Sequence, residues 1–165
     1  MNTKPQSNKA FGYSSLCFSM AIIFVLISIF EIFTKLYNGI KIPDIGLTLC
    51  YKIINDFIAV AVISCLFLPL YFVVDKCLKK WKYSVVKTLF ILIVIIQFAL
   101  TKYHLTTLVN LGADFLGYSL ADMFTTVTAS ESFSILYFVP FILFPLLFWA
   151  VNKHLTSKIP TKSLY

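Results

Sequence analysis

Four stretches of this chain run for roughly the thickness of a bilayer without a single charged side chain, and they set what it can fold into. They are residues 10–30, 57–74, 88–101 and 132–152. A helix rises about 1.5 Å per residue, so about 20 apolar residues cross a hydrocarbon core of about 30 Å. Inside lipid every backbone N–H and C=O must be paired within the protein, which a helix does by itself. The remaining composition agrees. Of 165 residues 59% are hydrophobic and 13% charged, with a mean hydropathy of +0.88, too little polar surface to face water on all sides. The expected fold is all-α and polytopic, a single membrane domain over residues 1–165. It has about four transmembrane helices, at about 16–33, 53–74, 84–104 and 133–151, and one external interfacial helix described below.

Each span has local features that the fold must accommodate. The first follows Lys4 and Lys9, as a signal peptide would, yet its apolar region is too long and no small-x-small cleavage site follows it. Glu31 and Lys35 close it at i, i+4 spacing, so they can pair. Lys52 and Asp56 have the same spacing at the start of the second span, and Pro69 near its far end removes a helix donor, predicting a kink. The third is the shortest uncharged run and needs Lys87 and Lys102 to extend their ammonium groups toward the headgroups. The fourth contains Pro140 and Pro145, which predict a bent or locally broken helix. In transporters such a break marks a binding site; elsewhere it is a packing kink.

Charge then orients the array. Cutting at these spans puts Lys4, Lys9, Lys76, Lys79, Lys80, Lys82, Lys87, Lys153, Lys158 and Lys162 on one side, and Lys35, Lys41, Lys52 and Lys102 on the other. Of the seven acidic residues only Asp75 shares the lysine-rich side. Lysine-rich short loops stay in the cytoplasm, so both termini are expected there. The bias toward Lys, Ile, Phe, Asn and Tyr with no Arg is that of an AT-rich coding genome, so the expected location is a bacterial cytoplasmic membrane. The net charge of +7 is thereby a topology signal. With no arginine to make bidentate phosphate or base contacts, nucleic acid is not an expected partner. The lysine run from Lys76 to Lys82 could also meet anionic headgroups.

On the outer side, the loop TKLYNGIKIPDIGLTLCYK is broken by Gly39, Pro43 and Gly46 and reads as a short turn region. The segment between the third and fourth spans is too apolar for a free loop and too interrupted to span. Placed on a helix over about 113–127, it gathers Leu116, Leu120, Met123, Phe124 and Val127 on one arc and Asp114, Tyr118, Asp122 and Thr125 on the other. That is an amphipathic helix lying at the outer interface. Ala113, Gly117 and Ala121 recur every four residues, a spacing that lets another helix approach. Asp114, Gly117, Tyr118, Ala121 and Asp122 are the candidate surface for lipid headgroups or another membrane protein; the alternative is a solvated acidic face.

No catalytic, cofactor-binding or metal-ligating set is legible. There is no Gly-rich phosphate loop, no H-E-x-x-H and no G-x-S-x-G. Cys17, Cys50, Cys65 and Cys77 form no C-x-x-C pair, and two lie in apolar runs as small hydrophobes. His104 and His154 are expected near opposite membrane faces, too far apart to share a metal.

The segment NLGADFLGYSLADMFTTVTAS, followed by a proline-containing span, resembles the N-terminal membrane region of bacterial phosphoglycerol and phosphoethanolamine transferases of the lipoteichoic-acid-synthase type, in the alkaline phosphatase and sulfatase superfamily. The resemblance implies about five membrane helices with an interfacial segment, then a large extracellular catalytic domain. That domain supplies a Thr nucleophile and Asp, Glu and His ligands for a divalent metal. Neither the domain nor a fifth span is present in this chain, so the resemblance implies a membrane module that anchors and presents lipid, non-catalytic by itself. Two other readings stand beside it: a small stand-alone accessory or immunity protein acting by helix contacts, and a subunit of an oligomeric transporter.

Overall fold

A computed structural model describes residues 6–77, 82–107 and 139–157, and all but a short connection is helical. The described helices are α1 (Gln6–Tyr37), α2 (Ile45–Cys77), α3 (Lys82–Thr107) and α4 (Val139–Ser157). Each contains a stretch long and apolar enough to cross a bilayer: Gly12–Tyr37, Ile45–Val74, Tyr83–Thr106 and Val139–Ser157. The chain is a multi-pass membrane protein of all-α architecture.

The turn between α1 and α2 is short and closed by local hydrogen bonds. Gly39 adopts a left-handed φ of 72°, where a Cβ would be strained. Its N–H donates to the Leu36 carbonyl and that of Ile40 to the Lys35 carbonyl, both at 3.0 Å, which is the paired-bond helix stop. Five residues later Asp44 caps α2 by accepting the Leu47 N–H on Oδ1 at 3.0 Å. The cap corrects the sequence reading, which leaves 45–52 in the connection. Those residues are the first two turns of α2, because Asp44 satisfies the helix start ahead of the apolar run. α2 continues through Pro69 and α4 through Pro145, and α4 extends to Ser157, beyond the expected end at 151. Residues 133–138 of the expected fourth span lie outside the described residues.

Contacts between helices give an up-and-down arrangement. The end of α1 meets the starts of α2 and α4 and the end of α3, while the start of α1 meets the opposite ends. α1 is the central element, with half of its most apolar stretch buried against 11% for α2, which lies on the periphery. The core uses i, i+4 and i, i+3 stripes: Leu16, Met20, Ile23, Phe24 and Ile27 on α1, and Val86, Phe90, Val94 and Phe98 on α3. Phe98 packs edge-on against Phe141 at 4.7 Å between centroids and tilted against Phe144 at 5.1 Å, joining α3 to α4. In lipid no hydrophobic force draws helices together, so this interlocking of rings and branched side chains holds them.

Candidate functional site

The polar side chains of the bundle gather at its two ends, and the richer gathering is where α1 finishes. Glu31 lies one turn and a half before the end of α1 with 5% of its side chain exposed. A bare carboxylate there would be expensive, and three helices supply its partners. Lys35, one turn on, reaches Oε1 at 2.8 Å; Lys52 from α2 pairs with Oε2; and His104 from α3 brings Nε2 to 3.7 Å of Oε1. Lys35 Nζ also lies 3.0 Å from His104 Nε2. Deeper in the same seam, Ser28 donates a 2.6 Å hydrogen bond to the buried Asp56 carboxylate.

Local folding explains each placement. Ser28, Glu31 and Lys35 are spaced i, i+3, i+7 on α1, one face of a helix. The Asp44 cap starts α2 early enough that Lys52 and Asp56 lie within helix, one turn apart, facing α1. The expected i, i+4 pair of Glu31 and Lys35 forms. Lys52 instead ties α2 to Glu31, and Asp56 takes its hydrogen bond from Ser28, so these two charged residues of α2 are spent on contacts between helices.

The arrangement sets two lysines around the Glu31 carboxylate, with the Asp56 carboxylate deeper in the seam. Lys35 and Lys52 keep 16% and 28% of their side chains exposed and His104 keeps 25%, whereas Glu31 is enclosed. An ammonium has three donors; Lys52 gives one to Glu31 Oε2 and Lys35 one to His104 Nε2, so donor capacity remains at the accessible rim. His104 Nδ1 is buried with no hydrogen-bond partner among the described residues. Those remaining lysine donors are the groups that an anion approaching the rim would meet. Among the described residues no three His, Cys, Asp or Glu side chains converge in a metal-binding group.

At the opposite end the buried polar groups are neutral. Asn152 of α4 is 1% exposed and its amide is fully used. Tyr83 of α3 donates to Oδ1 at 2.5 Å, and Nδ2 points to Ser19 Oγ at 3.3 Å and Ser15 Oγ at 3.4 Å on α1. Those two hydroxyls can accept because each donates its own proton to an α1 carbonyl. Tyr13 donates to the Ser64 carbonyl at 2.5 Å, joining α2 to the same end.

The candidate residues named from sequence, Asp114, Gly117, Tyr118, Ala121 and Asp122, lie outside the described residues, as does the whole expected interfacial helix over 113–127. Sequence reasoning missed Lys52, Asp56 and His104 as partners of α1. The signal for them was the polar minority within apolar helices, since in lipid a buried polar group marks the inward face. No family model matches the chain, and no curated protein or solved structure does so.

Proposed function

We propose that this chain is the membrane-anchoring and lipid-presenting module of a phosphoglycerol or phosphoethanolamine transferase-like system in a bacterial cytoplasmic membrane, non-catalytic by itself, with both termini in the cytoplasm. The observation that carries the reading is the partly exposed rim of Lys35 and Lys52 around Glu31, with His104 beside them. The lysine split puts this end outside, where such a transferase meets its lipid. The described parts of α3 and α4 also end and begin there, and in this proposal the sequence between them, with Asp114, Gly117, Tyr118, Ala121 and Asp122, contributes the lipid-facing surface. In this role the rim receives the phosphodiester of a headgroup through charge-assisted hydrogen bonds, and the segment forms the surface next to it.

Native mass spectrometry of the purified chain with phosphatidylglycerol, phosphatidylethanolamine and phosphatidylcholine tests this. Retention of the first two above the third is expected, with a loss of about fivefold for Lys52→Gln. Equal retention of all three would sink headgroup presentation. Free labelling of Leu116→Cys and Phe124→Cys in intact membranes would remove the interfacial surface from the proposal.

A second reading, an accessory protein acting through helix contacts, draws on α2, whose Phe57, Leu66 and Phe72 are exposed along an entire span. Lipid covers such a face equally well. A stoichiometric crosslinked partner captured through Leu66→Cys would favour that reading.

A further inference from the structure

Lys87 and Lys153 stand on different helices, yet both place their ammonium groups over one indole, that of Trp149. The distances to the ring centroid are 5.4 Å for Lys87 and 5.1 Å for Lys153. Trp149 is 47% exposed on the outer surface of the bundle. Lys87 is one turn into the apolar stretch of α3 and Lys153 one turn from the end of that of α4, which puts the pair at headgroup depth.

The placement is fixed from behind. Tyr83, one turn before Lys87, donates to the buried Asn152, the residue next to Lys153. That hydrogen bond sets the register of α3 against α4, and the register brings both lysines to the same ring. The indole face attracts each cation, but it does not neutralise two of them, and no acidic side chain among the described ones pairs with either. Two ammonium groups on one indole at the edge of a low-dielectric region, neither with an acidic partner among the described side chains, leave donors for an anion at headgroup depth.

We infer that Lys87, Lys153 and Trp149 form a binding site for the phosphate of an anionic phospholipid in the leaflet at the Asn152 end. The lysines would take the phosphate oxygens, and the exposed edge of the indole would lie along the glycerol and upper acyl chain, where tryptophan is favoured. This inference concerns the opposite end from the Glu31 rim and stands independently of the proposed function.

Trp149 reports on its own neighbours. With Trp81→Phe as the background, its fluorescence is measured in vesicles containing brominated phosphatidylglycerol or brominated phosphatidylcholine, at equal total anionic lipid. Stronger quenching by brominated phosphatidylglycerol is expected, and the derived preference should fall about fivefold for each of Lys87→Gln and Lys153→Gln. It should survive Lys87→Arg with Lys153→Arg, and also Lys158→Gln with Lys162→Gln, which removes equal charge from the tail. Equal quenching by the two lipids in the Trp81→Phe protein overturns the inference before any lysine is altered. So does an equal loss in the tail control, which would mean diffuse attraction. Abolition of the preference by millimolar inorganic phosphate would overturn it in favour of a soluble-anion site.

Discussion

The two ends of the bundle solve one problem with different chemistry. Each has to bury polar side chains between helices where water cannot serve them. At the Glu31 end the answer is charge: Glu31 held by Lys35 and Lys52 with His104 alongside, and Asp56 held by Ser28 beneath them. At the Asn152 end it is a neutral amide whose oxygen and nitrogen are all engaged by Tyr83, Ser15 and Ser19. A closed neutral network fixes which helix faces meet and offers little to a ligand. An ion cluster with a partly exposed rim retains donor capacity. The difference separates a joint from a site.

The comparison is open to breaking, most forcefully at Glu31. Glu31→Leu leaves two ammonium groups and an imidazole facing one another, and removal of one partner from a buried pair destabilises by about 3–5 kcal/mol. Denaturation in mixed micelles of dodecylmaltoside and SDS should show a loss of that order, with Glu31→Gln intermediate. If Glu31→Leu unfolds no more readily than the parent, the carboxylate is solvated and the cluster is not enclosed.

A smaller loss is expected at the other end. Asn152→Leu removes the amide but leaves hydroxyls that can turn to other acceptors, so about 1–2 kcal/mol is expected in the same assay. A loss equal to that of Glu31→Leu would erase the distinction between the ends. The smallest effect belongs to Tyr83→Phe, which removes one donor and keeps the ring. Polar contacts between membrane helices average about 0.6 kcal/mol, and a shift near that size is expected. A double-mutant cycle with Asn152→Leu should then show that the two losses overlap, since both remove the same bond.

The legibility of these features in the sequence follows their physical origin. The spans were readable because a bilayer demands long uncharged runs whatever the packing. The i, i+4 pair of Glu31 and Lys35 was readable for a similar reason, as both groups lie on one helix. The start of α2 was misplaced because Gly39, Pro43 and Gly46 read as a longer turn region, whereas the Asp44 cap ends that connection at once. The inward faces were hardly readable from hydropathy. When a helix is apolar nearly all round, as α2 and α3 are, periodicity gives little direction, and among the described residues the buried polar ones, Ser15, Ser19, Ser28, Glu31, Asp56, Thr101 and Asn152, mark the interior.

The sequence by itself determined that the chain crosses a membrane about four times as helices, since burial of backbone polar groups in lipid leaves no other route for such runs. It also determined which charges fall near which end. Tertiary structure decided their partners. Lys52 meets Glu31 across 21 residues of chain, His104 meets Lys35 across 69, and Asn152 meets Ser19 across 133. No local pattern encodes such pairings. They arise when Phe98, Phe144 and the branched residues of α1 settle the register of one helix against another, and polar groups then bond to whatever that register sets opposite them.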